Sequence, residues 1–163
     1  MELALEQARL AANLNETPIG AVLVWEGEVA ASAFNRRELD RIATAHAEIL
    51  AINEACRKLG GWRLHKATLY VTLEPCPMCA GAIINSRIRR VVYDAADAKA
   101  GCCGSVTDLF AMPFNHHPVV ESGLRAEEAQ ALLQAFFKDL RARLAAKPKW
   151  KPPVPSAKNM KKP

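Results

Sequence analysis

Ala67-Thr68-Leu69-Tyr70-Val71-Thr72-Leu73-Glu74-Pro75-Cys76-Pro77-Met78-Cys79 carries a run of β-forming residues into a proline-flanked pair of cysteines. Residues 67–73 favour an extended strand. Pro75 and Pro77 suit a helix start, because proline has no N–H to lose there and its φ is already helical. The stretch therefore reads as a strand over 67–73 feeding a helix from Cys76 to about Ser86. Cysteines three apart in a first helical turn present their sulfurs to one side and can grip a single ion. The free N–H groups and positive dipole end of that turn favour thiolate over thiol.

Upstream, His46-Ala47-Glu48 opens a second helix, which runs from about Ala45 to Leu59 and is closed by Gly60-Gly61. Residues two apart on a helix diverge by roughly 200°, so His46 and Glu48 cannot both aim squarely at one ion. At a helix N-terminus, however, His46 can reach a metal while Glu48 addresses a water on it from another angle. His46, Cys76 and Cys79 make three ligands, the count of a catalytic zinc site that keeps its fourth position for water. Zinc lowers the pKa of such a water from about 16 to about 7, and Glu48 is then the general acid/base that moves its protons. A lone H-A-E is commonplace, and a lone C-x-x-C can be redox-active or structural. Their conjunction in this order, behind a strand, favours catalytic zinc. No fourth ligand suggests itself: Cys56 sits on an apolar stretch, Cys102 and Cys103 are adjacent, and His65, His116 and His117 lack a partner spacing. All of these read as structural.

The chain has 163 residues, 50% hydrophobic and 24% charged, which suits one soluble domain with its own core. The longest apolar runs, such as Ile19 to Trp25, are far short of the roughly 20 residues that span a bilayer, and no basic-then-apolar leader opens the sequence. A cytoplasmic protein without membrane contact is expected, and a reducing compartment would keep the thiolates available. Of the 22 basic side chains, six lysines lie in residues 147–163 with no acid, leaving 16 basic against 17 acidic residues in 1–146. Half of the ten prolines lie there too. Residues 1–146 are thus expected to be the folded domain, and 147–163 a disordered basic arm. The arm reads equally well as a solubilising tail and as a polyanion contact, with Trp150 between two lysines able to stack on a base.

The remaining pattern alternates. Leu3, Leu10 and Leu14 with Ala4, Ala8, Ala11 and Ala12 mark an amphipathic first helix; Ile19 to Trp25 and Val29 to Phe34 flank a turn at Glu26-Gly27-Glu28. Val91 to Tyr93 is a short strand, 94–108 a glycine-rich loop, and Pro118 to Glu121 a last strand. Ala126 to Ala146 is a closing helix with Leu132, Leu133, Phe136, Phe137 and Leu140 on or near its apolar side. The expected fold is α/β, with the metal between two helix N-termini.

The H-x-E…P-C-x-x-C pattern is the signature of zinc-dependent nucleobase deaminases. Over roughly residues 2 to 145 the chain resembles the bacterial tRNA-specific adenosine deaminase family. The likeness rests on Pro18-Ile19-Gly20-Ala21-Val22, Thr44-Ala45-His46-Ala47-Glu48, Thr72-Leu73-Glu74-Pro75-Cys76, Met78-Cys79-Ala80-Gly81-Ala82 and the D-x-K-x-G-x-x-G-S loop from Asp97 to Ser105. The zinc motif is shared with deaminases of free bases; the loop is more typical of the tRNA enzymes. The resemblance implies a three-layer α/β/α cytidine-deaminase-like fold around a mixed five-stranded sheet. It implies Zn2+ on His46, Cys76 and Cys79, and attack at C6 of a wobble adenosine by zinc-activated hydroxide, with Glu48 shuttling protons. It places Asn35 and Ala47 against the flipped nucleoside, and Asp97, Lys99, Phe136, Phe137 and Arg141 against the anticodon stem-loop. A homodimer is also implied, to which Ala80 to Ile84 beside Arg87, Arg89 and Arg90 could contribute. Without the resemblance, Asn35 reads as a turn residue and at least one Phe as core. Thr17 and Pro77 depart from the family's usual residues, beside the pocket and between the cysteines.

Two other readings stand beside this one. A free-base deaminase would not need the Asp97/Lys99 loop or a basic tail; a silent RNA-binding subunit could lose Glu48, which this chain keeps. If the tail acts through phosphate charge, deleting 147–163 is expected to weaken RNA binding and flatten its dependence on salt while sparing turnover. Binding isotherms at several salt concentrations check this.

Overall fold

The computed structural model describes residues 1–146, so the expected basic arm lies outside the described residues. Five strands form one sheet in the order β2-β1-β3-β4-β5: β1 (Gly20–Trp25), β2 (Glu28–Phe34), β3 (Ala67–Leu73), β4 (Arg90–Ala95) and β5 (Val119–Ser122). β1 runs antiparallel to both β2 and β3, whereas β3, β4 and β5 are mutually parallel, so the sheet is mixed. The parallel pairing follows from the connection, since α4 (Pro77–Ser86) carries the chain from the end of β3 back to the start of β4. The antiparallel pair is joined by a tight turn in which Glu26 and Gly27 both adopt positive φ (50° and 93°), as two-residue hairpins require.

Helices cover both faces. α1 (Glu2–Asn13) and α5 (Ala126–Ala146) pack together on one face, and α3 (Ala47–Leu59) packs with α4 on the other; a one-turn helix α2 (Arg37–Asp40), unforeseen in the sequence, follows β2. The main core joins Ala21 and Leu23 of β1, Leu69 and Val71 of β3 and Val91 of β4 to Ala51, Ile52, Ala80 and Ile83 of the helices. The three-layer expectation holds.

α1 is amphipathic as expected, but its buried face is made of only part of the apolar set. α1 buries Ala4, Leu5, Ala8 and Ala11 and leaves Leu3, Leu10 and Leu14 close to half exposed. Closeness of approach is the reason. A Cβ on Gly20 would lie 2.0 Å from the Ala4 carbonyl oxygen and 2.6 Å from the Ala8 nitrogen, so only small residues fit where α1 crosses β1. In α4, Ala80, Ile83 and Ile84 are buried within the chain, which leaves only Gly81 and Ala82 of the Ala80–Ile84 segment partly accessible. Its apolar side chains serve the chain's own core.

Gly20→Ala is accordingly expected to lower stability by about 1–3 kcal/mol through overpacking. A downward shift of the urea midpoint with unchanged slope checks it.

Candidate active site

α3 and α4 both begin at a residue that the sequence reading offered as a metal ligand. His46 and Cys76 occupy the capping positions, each with extended backbone (φ −76°, ψ 151° and φ −75°, ψ 173°), and Pro77 takes the first helical position of α4. Cys79, two residues further into α4, is fully buried. The ligand atoms of His46, Cys76 and Cys79 all lie within 4.8 Å of one another, and Nδ1 of His46 stands 3.7 Å and 3.6 Å from the two sulfurs. Among the described residues this is the one such cluster of three. The strand-to-helix reading of 67–79 thus places both sulfurs on one side, as the spacing required.

The cluster is electron-rich. The Cys76 thiol is pulled down to about 4 by the hydrogen bond from the Cys79 S–H, against its burial and with help from His46. The Cys79 thiol is driven up by the neighbouring Cys76 sulfur and by burial, and the hydrogen bond with Cys76 raises His46. Glu48 lies beside the cluster, buried, with its pKa raised by desolvation. Its Oε2 has no hydrogen-bond partner among the described residues. A buried carboxylate oxygen without a partner is costly unless something else meets it. Soft sulfur with imidazole, three ligands and an orphaned carboxylate oxygen alongside fit a zinc ion that keeps a water.

These groups open into a cavity of about 560 Å³, within the usual range for small-molecule sites. Thr17, Ile19, Asn35, His46, Glu48 and Cys76 line it together with Asp97, Ala98, Lys99, Leu133 and Phe137. The sequence expectations for Asn35, Asp97, Lys99 and Phe137 therefore meet at one site, and Thr17 stands beside the pocket as the resemblance placed it. Ala47, Phe136 and Arg141 do not line the cavity. Ala47 is buried at the first turn of α3, Phe136 packs edge-to-face on Phe137 with centroids 5.4 Å apart, and Arg141 is exposed a turn further along.

Some residues at the site escaped the sequence reading. Glu16, with no exposed surface, accepts the Asn35 amide N–H at Oε2 (2.9 Å) and the Leu39 backbone N–H at Oε1 (2.6 Å). It fixes the Asn35 rotamer and anchors α2, whose exposed Arg37 reaches the rim. A charged residue two positions before Pro18 gives no periodic signal of burial. Glu74 accepts the backbone N–H groups of Asp97 (3.0 Å), Cys103 (2.8 Å) and Ser105 (3.1 Å). Burial raises its pKa, but the Ser105 hydroxyl and these amides outweigh that and hold it below the usual carboxylate range. Cys102 and Cys103, read as structural, have thiols raised by burial, and Cys102 points its S–H at the Ala100 carbonyl.

The profile of the MafB19-like deaminases matches residues 1–141. The tRNA-specific adenosine deaminase of Bacillus subtilis is 51% identical over 147 residues, covering 90% of this chain and 91% of that one. The chain belongs to the tRNA-specific adenosine deaminase family. A solved tRNA:A34 deaminase, studied for A-to-I editing at the wobble position, superposes with a TM-score of 0.79 at 51% identity, covering 82% of this chain and 97% of that chain. The guanine deaminase of Nitrosomonas europaea gives a TM-score of 0.68 at 27% identity, over 83% and 81% of the two chains. This deaminase is thus a hydrolase of C–N bonds built on the cytidine-deaminase-like fold. Among the described residues no helix is long and apolar enough to cross a membrane.

Proposed function

We propose that the protein converts adenosine to inosine at the wobble position of a tRNA anticodon, using zinc held by His46, Cys76 and Cys79. One observation supports the reading: the His46 and Cys76 side chains and Glu48, whose Oε2 has no partner among the described residues, line a cavity that is also lined by residues 97–100, the start of the loop typical of the tRNA enzymes. When bound, zinc supplies the Lewis acid that makes water nucleophilic near neutral pH. The chain's own residues do the rest. Glu48 takes a proton from water, passes it to ring nitrogen N1, and assists departure of the 6-amino group as ammonia; water and adenosine become inosine and ammonia. Asn35, locked by Glu16, orients the nucleoside. Asp97, Lys99 and Phe137 sit where neighbouring nucleotides of a loop would meet them, and an anticodon loop supplies an unstacked base at low cost. A cytoplasmic homodimer acting on tRNA belongs to the same proposal.

The likeness to a guanine deaminase supports one alternative, action on a free base. Incubation with an anticodon stem-loop carrying adenosine at the wobble position, and separately with guanine and cytosine, decides between them. Inosine in the stem-loop, far faster than release of ammonia from either base, is expected; efficient base deamination with no inosine would overturn the assignment.

Metal analysis is expected to give one zinc per chain. Glu48→Ala should keep that zinc and the fold while turnover falls by about 10²–10⁴, whereas His46→Ala should release the metal. Near-normal turnover of Glu48→Ala would refute the proton-shuttle role.

A further inference from the structure

The loop that walls the cavity has few apolar anchors near its start. Ala96, Ala98 and Lys99 are exposed and Asp97 is half-buried, so hydrophobic packing does not hold residues 96–99 in place. What holds them is one carboxylate. Glu74 is only 2% exposed, and its two oxygens accept three backbone N–H groups spread along the loop, Asp97 on Oε2 and both Cys103 and Ser105 on Oε1. The loop closes on itself around this centre: the Gly101 N–H reaches the Asp97 carbonyl (2.8 Å) and the Cys102 N–H the Pro75 carbonyl (2.9 Å). Lys99 is oriented from within, because its backbone N–H is taken by Oδ1 of Asp97 (2.9 Å). Gly101 is the glycine this packing requires, since a Cβ there would lie 2.3 Å from Oε2 of Glu74.

Glu74 itself is fixed by the sheet. Its N–H donates to the Ala95 carbonyl at 2.8 Å, extending the parallel pairing of β3 with β4 one residue past Leu73. Two residues later the chain reaches Cys76. One short segment therefore sets the cysteine ligand on one side and, through Glu74, the cavity rim on the other.

Resting on the proposed action on an anticodon loop, we infer that Glu74 is a positioning residue for substrate: it sets Asp97 and Lys99 against the nucleotides flanking the reacting adenosine. It does so through backbone amides, without touching the reacting atoms. A carboxylate suits this task and its amide does not. Three backbone donors converge on Glu74, and a glutamine would turn one acceptor oxygen into an NH2 group facing an N–H.

The test uses the full-length zinc-loaded protein and an anticodon stem-loop with adenosine at the wobble position. Glu74→Gln is expected to retain one zinc per chain and to raise KM about tenfold, with kcat changed much less, because the lost contribution is to binding. Gly101→Ala, which pushes a methyl group onto the same carboxylate, should reproduce that pattern. In a Lys99→Ala background, Glu74→Gln should cost much less than in the wild type, since the contact it positions is already gone. Hydrogen exchange supplies a readout that does not depend on the substrate: the amides of Asp97, Cys103 and Ser105 should lose protection in Glu74→Gln, while those of α3 keep it. Unchanged KM, an equal loss with and without Lys99, or loss of zinc in Glu74→Gln would each overturn the inference. If the wild type makes no inosine in the stem-loop, the functional reading fails; unchanged protection of the three amides in Glu74→Gln then overturns the loop assignment as well, and lost protection upholds it.

Discussion

His46 and Cys76 each cap a helix, with extended backbone on one side and helical backbone on the other, and the rest of the site depends on those two helix starts meeting. A capping residue is the last whose backbone the preceding segment still directs. Cys76 is therefore aimed by β3 and by the hydrogen bonds that carry the sheet one residue beyond it, and His46 by the turn after α2. Once the two starts are set, Cys79 follows from helical geometry and Glu48 from the first turn of α3. The packing of α3 against α4 through Ala51, Ile52, Ala80 and Ile83 keeps the starts together. Small side chains on both helices permit that approach.

The electrostatic consequence is a site that gathers groups which resist one another. A thiolate, a second sulfur and a buried carboxylate share a space too small for separate hydration. The hydrogen bond between the two sulfurs pulls Cys76 down and pushes Cys79 up, while burial pushes Glu48 up. A divalent ion held by these residues would relieve that crowding, and its binding would then be coupled to the folding of this corner.

Much of this was legible in the sequence, for identifiable reasons. The strand at 67–73 and the two metal helices carry strong local signals: β-branched residues, prolines at a helix start, and ligands at fixed offsets. Element order and the α/β class followed, while the three-layer arrangement came from the resemblance. Which members of the apolar set of α1 are buried was not legible. Leu3, Leu10 and Leu14 are larger than their alanine neighbours, and periodicity alone favours the larger residues; the tight crossing at Gly20 reverses that preference, and no feature of residues 2–14 announces it. Buried acids were missed for a related reason. Glu16 and Glu74 are buried because they meet backbone N–H groups from distant segments, a pairing that becomes visible only when the chain is folded. The short α2 has too few residues for any periodic signal. The outer positions Phe136 and Arg141, drawn from resemblance, stand off the cavity because α5 turns only Leu133 and Phe137 towards it.

That sparse contribution of α5 has an evolutionary meaning. The helix gives the core a single fully buried side chain, Ala129, and the cavity two residues, while the His46, Cys76 and Cys79 cluster and Glu48 sit at the starts of α3 and α4. Substitutions along the outer helix can therefore reshape the entrance at little expense to folding, and none of them reaches the reacting atoms. On the proposed function, the architecture separates the part that would perform hydrolysis from the part that would decide what is admitted. Lineages that share this fold can thus diverge in substrate by redrafting the doorway around an unaltered chemical centre.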